Sequence, residues 1–251
     1  MMDGKPIIAS CSFGKDSVAA IIALEERGIH VDYALYCRIM FDETISAEFP
    51  EHEEFIHTKA IPILWNRYGI KTTIIQSEDT YCDIFYTKYK SGKHIGTIYG
   101  FPMVRGAWCN DRLKVKQLKQ WKKGISDYIS VVGIAADEHK RINRKKESGT
   151  ILPLVKYRIT EAEAFDLCKR EGLLSTAYNN GRTRLGCWFC HNQRLSELRR
   201  LRKEYPDLWE RLLELDEVST CSFKPNKVTV QQLDDRFRKE DSQLMLDEII
   251  S

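Results

Sequence analysis

Residues Ile7-Ile8-Ala9-Ser10 form a short apolar run that enters a tight turn, Cys11-Ser12-Phe13-Gly14. The turn leads into Lys15-Asp16-Ser17 and the apolar stretch Val18–Leu24. This pattern constrains the chain more than any other. A strand feeding a hydroxyl- and glycine-bearing turn that opens a helix aims backbone N–H groups and the positive helix end at one point, where an anion is stabilised. Gly14 allows close backbone approach, Lys15 adds a mobile cation, and Ser12 and Ser17 add hydroxyl donors. Asp16 suits a metal ion or a helix cap. The turn lacks the four-residue spacer of a Walker A loop, and no G-x-G-x-x-G occurs, so two commoner phosphate loops are excluded.

The rest of the first half repeats the strand–helix alternation. Expected strands are Ile7–Ser12, Val31–Ile39, Lys71–Ser77 and Tyr128–Ile134. Expected helices are Ser17–Arg27, Glu51–Tyr68 (bent or restarted at Pro62) and Val115–Lys123. Alternation of this kind predicts an α/β fold, a doubly wound parallel sheet of about five strands, with ligands at the carboxyl ends of the strands. Beyond it, Thr160–Glu163 reads as a capping-box helix start, and Ser196–Glu217 as a long charged helix with a break at Pro206. The expected division is an α/β nucleotide-binding domain over 1–155 and a helical, cysteine-bearing region over 156–251.

The eight cysteines among 251 residues come without an apolar leader, which points to a reducing, cytoplasmic setting and to metal, cluster or catalytic thiols. No stretch approaches the length of a membrane span. Cys187-x-x-Cys190 follows Gly186 and places two thiols on one turn. Cys109 is the leading third ligand. Cys221 ranks above His191 as the fourth, because neighbours in sequence seldom ligate one ion together. Three or four thiolates suit a [4Fe–4S] cluster or Zn²⁺. Cys11, Cys37, Cys82 and Cys168 lie in apolar patterns and read as core. Net charge is only +3, yet 112–146 holds eleven Lys/Arg against three acids and 182–204 seven against two. Such stretches suit a polyanion, and nucleic acid is the partner class they suggest.

Five segments, in order, resemble the PP-loop ATP pyrophosphatases (adenine nucleotide alpha hydrolase-like), and within them the phosphoadenosine-phosphosulfate (PAPS) reductase-like branch. They are the loop Ser10–Ser17; Phe41-Asp42-Glu43 with Glu48-Phe49-Pro50; Trp108-Cys109-Asn110-Asp111-Arg112-Leu113-Lys114; Gly133 to Arg141; and Ile151–Leu154 with Thr160-Glu161 and Gly186–Cys190. The second departs from the branch pattern at Glu43 and has a longer spacer. The resemblance implies a HUP/PP-loop sheet, ATP and Mg²⁺. Ser10, Ser12, Phe13, Gly14, Lys15, Asp16, Ser17, Gly133 and Asp137 would bind nucleotide, and Lys15, Asp16, Asp42, Lys114 and Arg141 would serve catalysis. Asp42 and Asp137 suit Mg²⁺ or ribose hydroxyls, and Lys114 and Arg141 would neutralise developing phosphate charge.

The implied reaction is adenylation of an acceptor with release of pyrophosphate, followed by sulfur transfer. Its precedents are tRNA and DNA thiolation enzymes, and a sulfur-donor protein is an implied partner. The branch's reductases resemble one another in a C-terminal E-C-G-[IL]-H, whereas this chain has no Cys after 221. That departure speaks against sulfonucleotide reduction, which stays as the alternative beside an ATP sulfurylase-like activity. The alternative of another class is a nucleotide-binding regulatory module with structural zinc.

Overall fold

The computed structural model describes residues 4–102, 107–143, 149–179 and 181–250, excepting the side chains of 244–250. The expected loop residue Asn180 and the basic residues Arg144, Lys145 and Lys146 lie outside them. The chain divides into two compact units. The first takes residues up to Ile39, Glu48–Glu78 and Lys114–Leu185; the second takes Met40–Ala47, Asp79–Leu113 and the chain from Gly186 on. This corrects the expected boundary at 155/156. The helix Glu161–Arg170 packs on the first helix of the α/β unit and belongs with it, while two inner segments join the C-terminal region. A linear composition profile carries no sign of either exchange.

The first unit is a five-stranded, wholly parallel sheet of β1 (Ile7–Ser10), β2 (Tyr33–Arg38), β3 (Lys71–Gln76), β4 (Ile129–Val132) and β5 (Thr150–Ile151), in the order β3-β2-β1-β4-β5. The α/β class expected from the alternation is what forms. Register is set across the middle, where Ala9 pairs with Ala34 on one side and Val131 on the other. The chain winds outward from β1 to β3 and then crosses to β4, so the topological switch point falls between β1 and β4. Ligands of open parallel sheets bind at such a point.

The helix α1 (Lys15–Glu25) follows β1, and Val18 to Leu24 are all buried in it. A helix apolar on every side must be covered on every side. The sheet covers one face, and Glu161–Arg170 with Pro153–Lys156 cover others. The Glu161–Arg170 helix starts in the expected capping box, with Thr160 and Glu163 exchanging backbone and side-chain bonds. The expected helix 51–68 is Pro50–Phe55 and Ile61–Tyr68 joined by a π turn at Ile56–Ala60, just ahead of Pro62. A π turn accommodates a proline's missing N–H without a full break.

The second unit is helical, with segments Tyr81–Tyr86, Trp108–Asn110, Leu195–Glu204, Pro206–Val218 and Val230–Ile250. The expected long helix is interrupted at Tyr205, because the residue before a proline avoids helical backbone. Its core is aromatic: Phe41 packs on Trp188 and Phe189, Tyr81 on Phe189, and Phe101 on Phe85 and Phe223. Among the described residues no helix is long and apolar enough to cross a membrane.

The loop after β4 meets α1 at Gly133. A Cβ there would lie 2.3 Å from the Asp16 carbonyl oxygen and 2.7 Å from the Ser17 α-carbon. Both are backbone atoms in a helix start that cannot retreat. Gly133→Ala is therefore expected to cost about 2 kcal/mol of stability, read as a lowered urea midpoint at unchanged slope. An unchanged midpoint would show that the contact is dispensable.

Candidate functional site

At the carboxyl end of β1 the backbone turns through Phe13, which has φ +56°. A left-handed conformation is uncommon for a bulky residue and is held here by burial. The Phe13 ring is fully buried and meets Tyr36 edge-on at 5.4 Å. Phe13 thus anchors the loop in the core through its ring. The turn then enters α1 through Gly14. Ser17 Oγ donates to the Gly14 carbonyl at 2.8 Å and accepts the Ser12 amide at 3.3 Å. The Ser17 hydroxyl therefore braces the loop before any ligand arrives. Ser10 is engaged elsewhere, its Oγ accepting from Lys122 Nζ at 3.4 Å.

Lys15 is buried, and its ammonium lies 2.9 Å from Asp16 Oδ1 and 3.2 Å from Glu161 Oε2. Burial works against its charge, but the two carboxylates outweigh burial and hold its pKa above the ordinary lysine value. Asp16 is shifted upward, chiefly by burial and against the pull of Lys15. The Glu161 amide donates to Asp137 Oδ1 at 3.1 Å, so Asp137 joins the same corner. Glu161 was not among the expected site residues. Its signal in the sequence was spent on the capping box it opens.

The structure places the remaining expected residues as follows. Gly133 serves the close approach to α1. Arg141 is tied to Glu138 by its NH1 at 2.8 Å, and Glu138 also accepts the Ala135 amide. Lys114 lies where its charge opposes the upward shifts of the Cys11 and Cys37 thiols and the Glu48 carboxyl. Asp42 belongs to the second unit, where Oδ1 accepts the Thr44 and Ile45 amides and Oδ2 pairs with Arg211 at 3.1 Å. Asp42 thus closes a turn and an ion pair within the second unit.

A second group braces the loop from beneath. His52 is buried, with Nε2 3.3 Å from the Ser12 carbonyl and Nδ1 3.0 Å from Ser175 Oγ. A carbonyl only accepts, so Nε2 carries the proton and Nδ1 accepts from the hydroxyl. Burial pushes its pKa down to about 4. Ser175 Oγ in turn accepts the Ala177 amide, capping the single turn Thr176–Tyr178. Tyr178 Oη accepts the Lys15 amide at 3.0 Å, and Cys168 Sγ donates to the Lys15 carbonyl at 3.1 Å. None of His52, Ser175 or Tyr178 stood out in the sequence, since buried polar residues distant along the chain carry no local pattern.

In the second unit, Cys187 and Cys190 sit on one tight turn, with the Cys190 amide donating to the Cys187 carbonyl at 3.0 Å. Gln193 Nε2 clamps the Cys187 and Trp188 carbonyls at 2.9 and 2.7 Å. Trp188 is wholly buried, its indole N–H on the Ser46 carbonyl at 2.8 Å. Burial holds the Tyr81 phenol far above its ordinary pKa, and thiolate charge at Cys109, Cys82, Cys190 and Cys187 would push it the same way. The Tyr81 ring packs on Trp108 at 4.9 Å and on Phe189 at 4.2 Å, the chain neighbours of Cys109 and Cys190, so the expected ligands Cys109, Cys187 and Cys190 fall in one part of the second unit. Cys221 is engaged otherwise, donating to the Tyr99 carbonyl at 3.5 Å. His191 is buried, and burial followed by the Lys224 charge lowers its pKa.

Burial and the Cys190 charge push the Cys109 thiol up to about 11, so it carries its proton at neutral pH. Among the described residues no three His, Cys, Asp or Glu side chains are arranged to hold a metal ion. The donor chemistry suits a thiophilic metal, but the arrangement does not close around one.

No family model matches the chain. A protein of Methanocaldococcus jannaschii described as uncharacterized is 27% identical over 219 residues, covering 82% of this chain. The chain spans 40% of that relative's length. Among solved structures it is similar to phosphoadenylyl-sulfate (PAPS) reductase from Candida auris in a phosphate complex, with a TM-score of 0.48 and 11% identity, over 74% of this chain and 83% of that one.

The His52 clamp has a signed pH dependence. An unfolded histidine titrates near 6.5, and here the folded value is about 4. Below pH 6.5 the unfolded chain binds the extra proton, so this contribution is complete above 6.5 and declines as pH falls to 4. The decline amounts to about 3 kcal/mol. Glu48, raised to about 7 chiefly by burial, runs the opposite way, gaining stability as pH falls from 7 towards 4.5. The comparison is therefore wild type against His52→Gln: the wild type is expected to lose stability more steeply between pH 6.5 and 4. Parallel pH profiles would mean that His52 is not held neutral by the fold.

Proposed function

We propose that the first unit binds Mg²⁺–ATP at the switch point between β1 and β4 and catalyses attack of an acceptor on the α-phosphorus, expelling pyrophosphate. The observation that carries this reading is the buried Lys15 ammonium on the first turn of α1, at the carboxyl end of β1, bridged by two carboxylates. A cation so placed has a ready exchange. A polyphosphate would draw the ammonium off Glu161, and the carboxylates so released would suit the Mg²⁺ that accompanies the nucleotide. The Gly14 and Asp16 amides, which bond no acceptor among the described residues, face the same helix end.

In this reading Lys15 and the helix end stabilise negative charge as it builds on the leaving pyrophosphate. Mg²⁺, when bound, supplies further charge neutralisation. Asp16 and Glu161 would orient Lys15 and the ion; Lys114 supplies positive charge at the ends of β1 and β2. The acceptor oxygen lies outside what the residues define. The thiols of Cys109, Cys187 and Cys190 support the finer reading that the activated acceptor receives sulfur; to hold a [4Fe–4S] cluster or Zn²⁺ these side chains would have to draw together from their present arrangement. The exposed Lys116, Lys119 and Lys123 of the first unit make a nucleic acid acceptor compatible.

The test uses the full chain with Mg²⁺–ATP and bulk RNA. Pyrophosphate and an adenylated acceptor are expected as products, with AMP freed only when a sulfur nucleophile such as sulfide is added, and Lys15→Ala is expected to slow pyrophosphate release about 100-fold. ADP with inorganic phosphate, or no nucleotide binding at all, would sink the proposal. Anaerobic purification with iron, sulfide and zinc analysis separates the thiol readings. Iron with matching sulfide favours sulfur transfer, and one zinc per chain favours a structural site.

A further inference from the structure

The α1 amide best placed to meet an anion is already engaged. The Lys15 N–H is bonded to Tyr178 Oη at 3.0 Å. The phenol reaches this point from the far side of the sequence and is only 5% exposed. It is fixed from several directions: Ser175 caps its helical turn, His52 holds Ser175, and Phe165 packs edge-on against its ring at 6.0 Å. A phenol that accepts one N–H still has a proton to give. Among the described residues no acceptor takes it. A buried donor left without an acceptor is uncommon in a native fold and calls for an explanation.

The space in front of the hydroxyl is defined by Gly14. A Cβ at Gly14 would meet Tyr178 Oη at 3.5 Å and Ser12 Oγ at 3.6 Å. Two hydroxyls therefore flank a gap that the glycine leaves open at the start of an eleven-residue helix. Resting on the nucleotide reading above, we infer that Tyr178 is a phosphate ligand, its hydroxyl donating to an oxygen of the pyrophosphate group while it accepts from the Lys15 amide. The chain N–H···O–H···O–P passes the positive helix end outward through the phenol, and each bond polarises the next. Burial, ahead of the nearby charges of Asp16, Cys168 and Glu161, raises the phenol's pKa, so it stays a donor at any physiological pH. The Asp16 and Glu161 carboxylates near the phenol favour an anion that arrives with its metal ion, so magnesium pyrophosphate is the probe.

Calorimetric titration of the full chain with magnesium pyrophosphate gives the test. The wild type is expected to bind, and Tyr178→Phe, which keeps the ring and removes the hydroxyl, to bind about tenfold more weakly. A second chain carrying 3-fluorotyrosine at 178 presents a more acidic phenol, a better donor in the same shape, and is expected to bind more tightly than wild type. A purely structural tyrosine would not show that gain, and the fluorinated chain decides the matter if Tyr178→Phe does not fold. Equal affinity in wild type and Tyr178→Phe, or no gain on fluorination, overturns the assignment of Tyr178 and leaves the nucleotide reading standing. A folded wild type that binds no magnesium pyrophosphate overturns both.

Discussion

The α-carbon of Gly133 rests on the backbone of Asp16 and Ser17, and the carboxyl edge of the sheet is organised around that contact. It brings the loop after β4 against the start of α1. Asp137 can then take the Glu161 amide, which sets Glu161 beside the Lys15 ammonium. The switch point of a parallel sheet is a topological opening. Here close backbone packing turns that opening into a corner where helix end, lysine and carboxylates meet. A methyl group at one position would part the two loops.

The strand-turn-helix at 7–24, the parallel class of the sheet and the capping box at Thr160 were legible because each is a local signal. Periodicity, a glycine after an apolar run, and a hydroxyl three residues before a carboxylate all act within a few residues. The exchange of segments between the two units was not legible. Asp42 shows why. A carboxylate after a strand reads as a ligand from its position alone, and nothing nearby in the sequence announces that Asp42 falls in the second unit, with two amides and Arg211 as partners. His52, Ser175 and Tyr178 were invisible for the converse reason, since their meaning lies in partners more than a hundred residues away.

The charge pattern was half legible. Much of the second basic stretch is answered within the chain: Arg182 pairs with Glu51, Arg199 with Glu240, and Arg202 with Asp234 and Asp241. Three of those acids come from residues 228–251, which hold six acids against three bases, so two blocks of opposite sign in the sequence meet as ion pairs in the fold. The more exposed of these pairs, such as Arg199 with Glu240, contribute little each, whereas Arg182 is buried. Asp234 is nearly buried too, and it also takes the Trp209 indole N–H at 2.9 Å. In the first stretch, by contrast, Lys116, Lys119 and Lys123 are exposed.

The loop from Cys11 to Lys15 is built stiff. Phe13 holds a left-handed backbone that costs on the order of 1 kcal/mol, and its buried ring offsets that cost through apolar contact. Ser12 is pinned at both backbone ends, its amide by Ser17 and its carbonyl by His52. Lys15 is pinned at its amide by Tyr178 and at its carbonyl by Cys168. A loop held at four backbone atoms loses little further freedom when a ligand arrives, so binding energy is not consumed in ordering it. The same clamps bury a histidine, a serine and a tyrosine that must each find a partner. In His52 the requirement is met by one tautomer only, which makes the shape of the loop depend on a neutral imidazole some forty residues away from it in sequence.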